Sequence, residues 1–415
     1  MFLHNVKAQE YKGFKNIHVE FKEKFTVLCG PNGVGKSTVL FAIASALNLN
    51  NERVRLNEHS QCKIEFTSRD STENVCGFGK GSYKMESLRS SSFQGGPHEY
   101  QNDDGSFERI YKNDIAELFS PLFIGPNRNI DYKKINGMTA EKTPEEYRKE
   151  YIRGSLQGLA SAFTPEIKQW MINRYFIIEK EWGAAEKYNW DLIISNLDFI
   201  FGGEGRVYFD KIGRELEPSF ILDGAVVYLE DLSSGFKSIL SIVLSIVEWI
   251  EKTNANDDML IDKAQGVVLI DELDAHLHPS WQTSLRGVLI KIFPRLQFIV
   301  TTHSPHIISS SEVNEVIVLR RDGDDIIPVK IEKSLSAWKT DDIYSLIMGV
   351  NTVHQLTLKY VISEIEDLIE NELYEHALMV IEDYAKQTPE SDPTALTLRA
   401  RVNDLILKNE RDSND

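Results

Sequence analysis

Four short stretches of the chain carry residue types at spacings that suit phosphate chemistry. The first is GPNGVGKST at 30–38, which fits G-x-x-x-x-G-K-[ST] between an apolar run, FTVLCG, and a helical run, STVLFAIASALN. Backbone amides of residues 32–38 can converge on phosphate oxygens, and a helix start adds favourable potential for negative charge. Gly30, Gly33 and Gly35 let the backbone come close and take positive φ. Asn32 and Thr38 complete the cradle, Lys36 brings a point charge to the terminal phosphates of a triphosphate, and Ser37 offers a hydroxyl to Mg²⁺.

The second stretch is GVVLIDELDAHLHP at 266–279. An apolar strand ends in two adjacent carboxylates, a poor pattern for a solvated face. Asp271, at the strand tip, is placed to hold a Mg²⁺ shell. Glu272 then points at a water that attacks a γ-phosphate, as general base. Asp274 is a candidate for nucleotide-linked communication across an interface. His276 and His278 form an H-x-H pair, but no cysteine or second histidine group completes a metal shell. They are read as shaping the turn before Pro279.

The third stretch is LEDLSSGFKS at 229–238, where Ser233 and Gly235 sit in a Ser-Ser-Gly run that opens a strongly apolar helix. Its free N–H groups make a second anion site. The fourth is FIVTTHSP at 298–305, a strand ending in His303, close to where a γ-phosphate would lie.

These stretches need strands and helices in a set order. Residues 2–30 read as strands with a turn at Gly13, and STVLFAIASALN is apolar all round, hence a buried helix. CKIEF at 62–66 reads as a strand, the Gly/Ser-rich 77–106 as a loop or lid, and PLFIGPNRN at 121–129 as a core strand ending in a turn. Residues 140–200 read as helical without heptads. VVYLEDL at 226–232 reads as a core element, followed by a helix over 234–252, a strand over 266–271, a helix over 279–293 and a strand over 297–302. EVIVLRR and IIPVKIE flank DGDD at 322–325 as a hairpin, so Asp322 and Asp324 are turn residues. Beyond 340 the chain reads as helical and acidic, and 363–386 carries eight acidic residues and one lysine.

Composition bounds the class. The 415 residues are 42% hydrophobic and 26% charged, enough apolar material for a large core. The most apolar stretch, at 239–250, is too short to span a bilayer and contains Glu248. Net charge is −17, which speaks against a surface broadly coated for nucleic acid, though a local groove stays open. Three cysteines with no C-x-x-C pair fit a reducing cytoplasm.

GPNGVGKST, LSSGFKS, LIDELDAHLHP and TTHSP, in that order, resemble the ABC-type ATPase heads of the SMC and RecF group. LIDELDAHLHPSWQ followed by TTHSPHII is most similar to the compact bacterial subgroup holding OLD-family ATPase domains and the PtuA family of Septu and retron anti-phage systems. The resemblance is strong over 1–50 and 225–320 and weak elsewhere. It implies an α/β fold: an ABC-ATPase head with a mixed β-sheet flanked by helices, a helical insertion and a C-terminal helical extension. Residues 1–139 would be ATPase lobe I with the P-loop, 140–224 a mostly helical insertion, 225–335 lobe II with signature, Walker B strand and switch histidine, and 336–415 the C-terminal helical region.

The same resemblance implies ATP and Mg²⁺ as cofactors. Asn32, Gly33, Gly35, Lys36, Ser37 and Thr38 would wrap the phosphates, Asp271 would help hold Mg²⁺, Glu272 would act as base and His303 would sense the γ-phosphate. Ser233 and Gly235 would contact the nucleotide of the opposite protomer. Phe236 departs from the polar residue usual there, and 121–129 offers Asn127 and Arg128 where a Q-loop glutamine is expected. A head-to-tail homodimer or higher homo-oligomer follows, closed by ATP.

No C-terminal TOPRIM pattern and no HNH-like histidine cluster is visible, so a cutting activity would come from a separate nuclease subunit of HNH type, as in Septu. The expected function is a slow, regulatory ATPase controlling that nuclease in anti-phage defence. The alternatives are a RecF-like DNA-repair clamp, for which YRKEYIRG at 147–154 is the best basic candidate, and an ATP-binding assembly scaffold with little turnover. DNA or RNA stays open as a partner; a membrane does not.

Overall fold

The computed structural model describes residues 1–48, 56–87, 90–93, 99–110, 115–160, 166–203, 207–350, 353–388 and 393–412. Contacts divide the chain into Met1–Ile343 and Tyr344–Asp415.

The first unit begins with β1 (Phe2–Tyr11), β2 (Phe14–Glu20), β3 (Phe25–Cys29), α1 (Lys36–Leu47), β4 (Gln61–Thr67) and β5 (Glu73–Phe78). Four short strands follow, β6 (Tyr83–Ser87), β7 (Ser90–Phe93), β8 (Glu99–Gln101) and β9 (Phe107–Arg109), then α2 (Ile115–Leu118) and β10 (Leu122–Ile124). Helices α3 (Pro144–Leu159), α4 (Ile167–Ile177), α5 (Ala184–Ser195) and α6 (Leu197–Ile200) lead to strands β11 (Val207–Ile212), β12 (Pro218–Leu222) and β13 (Ala225–Tyr228). The remainder is α7 (Ser234–Thr253), β14 (Gly266–Ile270), α8 (Pro279–Ile292), β15 (Leu296–Thr301), α9 (Pro305–Ser310), β16 (Val316–Asp322), β17 (Asp325–Lys330) and α10 (Thr340–Asp342).

Ten strands form one mixed sheet in the order β10-β14-β15-β3-β16-β17-β2-β1-β4-β5. The β10, β14, β15, β3 and β16 neighbours pair in parallel. β3, β14 and β15 are buried along their whole length, which is why they read as unbroken apolar runs rather than alternating ones. Parallel pairing also brings the C-terminal ends of these strands to one edge, where open α/β sheets present ligand-binding loops. α1 is buried nearly all round, packed with β1, β4 and α3 in the core.

Local signals explain the helix starts. Thr143 and Glu146 form a reciprocal capping box at α3, with Pro144 in the first turn. His278 caps α8 and is followed by Pro279; the ring accepts from the Ser280 amide. Ser304 caps α9 through the His306 and Ile307 amides. The hairpin β16–β17 turns at Gly323, with Asp322 opposite Asp325, so Asp322 and Asp324 belong to a turn.

Two expectations need correction. The Gly/Ser-rich 77–106 is not simply a loop: it holds the antiparallel pair β6–β7 and strand β8, which pairs with β9 just beyond it. Tyr83 meets Phe78 and Phe93 edge to face at 5.1 and 5.5 Å, supplying apolar contact that the composition conceals. Residues 88–89 and 94–98 of that stretch lie outside the described ones. The start of VVYLEDL is not core. It forms β13, the outer strand of the three-stranded sheet β11-β12-β13, with Val226 and Tyr228 exposed. The segment 140–224 therefore includes sheet as well as α3 to α6.

In the second unit α11 (Val353–Glu370), α12 (Tyr374–Gln387) and α13 (Thr394–Asp412) pack around Ile365, Ala377, Ile381, Tyr384 and Val402. Among the described residues no helix is long and apolar enough to cross a membrane.

A candidate nucleotide site at the sheet edge

The loop after β3 has the backbone its glycines require. Gly30, Gly33 and Gly35 take φ of 135°, 74° and 105°. At Gly30 a Cβ would meet the Leu319 carbonyl oxygen at 2.5 Å, and at Gly35 it would meet Ile326 at 2.4 Å. A side chain at either position would displace the loop from the sheet. Lys36, the first residue of α1, is only 6% exposed. Its ammonium donates to the carbonyls of Gly30 and Pro31, both at 2.9 Å, and so lies across the loop. Burial lowers its pKa, and the carboxylates of Asp271, Asp274 and Glu272 counter that effect.

The adjacent parallel strands bring the acidic residues to this loop. Ser37 Oγ donates to Asp271 Oδ1 at 2.9 Å, joining residues 234 positions apart. Thr301 Oγ1 donates to the same carboxylate oxygen at 2.6 Å and accepts the Glu272 amide at 2.8 Å. A hydroxyl and a carboxylate oxygen this close are the hard donors a Mg²⁺ ion takes alongside phosphate oxygens, so these residues fit that ion. Glu272 is held at φ 50°, a left-handed conformation costly for a non-glycine residue. Strain of this kind re-aims a side chain at a functional edge.

His303 follows β15 and is half-buried. Burial lowers its pKa below the ordinary 6.5, and the Lys36 charge lowers it further against the pull of Asp274, Glu272 and Asp271. A neutral ring can accept or donate one hydrogen bond at a γ-phosphate. Asp274 accepts from the Thr302 hydroxyl and, at 3.1 Å, from the His303 amide. Within this chain its carboxylate therefore positions the segment bearing His303.

Comparison with known proteins shows what the chain is similar to. Residues 1–85 match the model described as "AAA ATPase domain", and 198–309 match "AAA domain, putative AbiEii toxin, Type IV TA system". A Septu protein PtuA from Bacillus thuringiensis is 25% identical over 90% of this chain and 90% of its own length. The Retron Ec83 probable ATPase of Escherichia coli is 22% identical over 82% of this chain and 76% of its own. The chain resembles PtuA and the retron ATPases. A solved SMC head bound to the C-winged helix domain of ScpA has TM-score 0.46 and 15% identity, covering 81% of this chain and 99% of that one. The fold stands on the strand order above rather than on that likeness.

The PtuA-like signature loop does not join the phosphate loop. Ser233 is the N-cap of α7 and is exposed, and Gly235 lies under Trp281, where a Cβ would come within 2.7 Å of the ring. Phe236 packs between Phe201 and Trp281, at 4.6 and 4.8 Å between ring centroids. This aromatic role accounts for the apolar residue after Gly235. The cavity of about 780 Å³ at Ser233 is lined by His276, His278 and Trp281, and by no residue of 30–38. Asn32, Gly33, Lys36, Ser37, Thr38, Asp271, Glu272, Asp274 and His303 thus share one edge, while Ser233 and Gly235 face another cavity.

Two residues carry more than the sequence reading assigned: Arg128 stands there only at the place of a Q-loop glutamine, and the second is not singled out at all. Arg128 is fully buried, and its guanidinium donates to the carbonyl oxygens of Asp271 at 2.6 Å, Glu272 at 2.9 Å and Gly125 at 3.1 Å. It also reaches Ser238 of α7 at 3.3 Å. Burial lowers its pKa to about 10, which leaves it charged at neutral pH. Thr301 is the other, hidden in an apolar strand. The basic stretch 147–154 is partly spent on structure: Arg148 pairs with Glu117 and Lys149 with Glu145.

Proposed function

We propose that this chain binds ATP with Mg²⁺ and hydrolyses it slowly as a head-to-tail dimer, and that its nucleotide state regulates a separate nuclease subunit in anti-phage defence. The observation that carries the reading is the meeting of Ser37 and Asp271 at 2.9 Å beside Lys36, which assembles a phosphate and metal site from distant stretches. The likeness to a Septu protein PtuA over 90% of both chains supports the defence setting.

Lys36 and the loop amides bind and orient the phosphates. Ser37 and Asp271 would hold Mg²⁺, which would supply neutralisation of phosphate charge. Glu272 takes the proton of the attacking water, and His303 holds the γ-phosphate. Ser233, which faces a cavity lined by no residue of 30–38, completes the site of a second copy. The acidic C-terminal helices are the proposed dock for the nuclease, and a cytoplasmic location follows from that role.

A mixing experiment tests the core of this reading. Lys36→Ala and Ser233→Arg are each inactive alone, but their heterodimer keeps one intact composite site. Phosphate release from the mixture should exceed the sum of the separate proteins. Additive, near-zero release would refute the trans arrangement. Glu272→Gln should accumulate as an ATP-dependent dimer in size-exclusion chromatography, and an unchanged elution volume would count against ATP as the bond between heads. A partner nuclease that co-purifies favours regulation; salt-sensitive DNA binding by the lone chain favours a clamp instead.

A further inference from the structure

A cavity of about 350 Å³ lies between α3, α7 and the end of β10, apart from both the phosphate loop and the signature loop. Its floor is unusual for a protein interior. Ser155, Ser241 and Ser245 line it at 1%, 1% and 5% exposure, and none of their hydroxyls has a hydrogen-bond partner. Serine inside a helix normally returns its hydroxyl to the carbonyl four residues back. Ser241 and Ser245 do not, although α7 is otherwise apolar along this run. Three buried hydroxyls left open on one cavity call for polar partners from inside it.

The opposite wall is kept clear. Gly154 lies in the interior of α3, where glycine weakens a helix, and a Cβ there would meet nothing within 4 Å. Backbone geometry does not ask for glycine at this position, since its φ is ordinary. A side chain there would enter open volume rather than meet protein. Tyr147, Tyr151, Phe123 and Leu122 supply flat or apolar surface. Burial and the Glu248 carboxylate hold the Tyr151 phenol well above its usual pKa, so it stays a donor at physiological pH.

Charge narrows the ligand. On the floor Glu248 is paired with Lys252 at 2.5 Å, so neither is left to balance a ligand charge. At the exposed rim Glu150 is paired with Lys142, and Arg153, the one other charged lining residue, is exposed to solvent rather than set on the floor. A phosphate would find no unspent cation on the floor, and a cation no unspent carboxylate. Hydroxyls below and rings beside suit a molecule with one flat face and several neutral donors and acceptors. The volume is at the lower end of the roughly 300–1,000 Å³ typical of small-ligand pockets, which fits a nucleoside and is small for a dinucleotide.

We propose that the cavity between α3 and α7 is a binding site for an uncharged nucleoside, distinct from the site for ATP. The proposal does not depend on hydrolysis. Adenosine, guanosine, cytidine and uridine would each be titrated into the full chain by calorimetry. The same titrations would be run on Gly154→Leu, which fills the cavity with a better helix former, on Ser245→Leu, and on Lys36→Ala. At least one nucleoside should bind the native chain and Lys36→Ala alike and weaken by about tenfold or more in both cavity-filling variants, equal to a loss of about 1.4 kcal/mol. Circular dichroism and thermal melting confirm that at least one filled variant is folded. Binding lost in Lys36→Ala but kept in Gly154→Leu would place the nucleoside in the phosphate loop and overturn the proposal. So would no binding of any of the four, and a raised melting temperature of Ser245→Leu would then mean a hydrated cavity.

Discussion

The guanidinium of Arg128 donates to the main-chain carbonyl of Asp271 at 2.6 Å, so a buried cation fixes the backbone of the residue whose carboxylate faces Ser37. Its other bonds reach Glu272, Gly125 and Ser238, tying together the end of β10, the end of β14 and the first turns of α7. The signature loop begins that same helix. One side chain therefore couples the two halves of the proposed composite site within a protomer.

Arg128→Lys keeps a charge but cannot span these carbonyls, since an ammonium is a point donor where a guanidinium is a fork. Each buried carbonyl left without a partner costs about 1–3 kcal/mol. The variant should melt several degrees lower, bind ATP with native affinity by calorimetry, and release phosphate on the order of tenfold more slowly because Glu272 is no longer held. Native turnover would show that Arg128 only supports the fold.

That the loop after β3, the acidic end of β14 and His303 share one edge was legible because each joins an apolar strand to a polar tip, and parallel strands must place such tips at one edge. Arg128 was marked only as standing where a Q-loop glutamine is expected, and its hold on the Asp271 and Glu272 carbonyls shows only once β10 is seen beside β14. Thr301 was masked by an apolar run in which a β-branched residue is unremarkable. Ser241 and Ser245 were absorbed into the apolar helix 234–252, whose orientation against α3 no periodicity fixes. The small strands of 77–106 failed for a different reason: their stability comes from Tyr83 packing on Phe78 and Phe93, contacts between separate strands rather than local propensity.

His303 yields a pH prediction. Its folded pKa is lowered by burial and by Lys36, so the folded protein releases this proton more readily than the unfolded chain does. The resulting stability is present above the unfolded value near 6.5 and is lost as pH falls from there through the lower folded value. NMR titration should find the His303 midpoint below that of a free imidazole. Lys36→Met removes the repelling charge and should move the midpoint upward. A midpoint unmoved by the substitution would disconnect the two residues.

A buried cluster between α4 and α7 should govern stability without touching the nucleotide. Arg174 pairs with Glu251 and with Glu141, while Glu251 also accepts from Trp170 at 3.1 Å and Asn189 at 3.0 Å. Both ion-pair partners are about 1% exposed in their side chains. Arg174→Ala leaves the Glu251 carboxylate buried without its cation, at a cost of roughly 3–5 kcal/mol. Replacing Arg174 by Met and Glu251 by Leu together should recover much of that loss. Urea melts of the single and double variants check it, and a double variant no more stable than Arg174→Ala would contradict the desolvation argument.

Thr301 tests the metal role most directly, because its hydroxyl does two things at once: it donates to the Asp271 carboxylate and accepts the Glu272 amide. Thr301→Val keeps the shape and removes both bonds. The Lys36 side of the site is untouched, so ATP without Mg²⁺ should bind as it does to the native chain. Asp271 is then free to rotate and Glu272 loses the contact that supports its left-handed backbone. Partners that orient a metal ligand are commonly worth about 10–100-fold, so the Mg²⁺ concentration for half-maximal phosphate release should rise by that order. A fall in turnover with unchanged Mg²⁺ dependence would assign Thr301 to Glu272 alone and leave Asp271 oriented by Ser37.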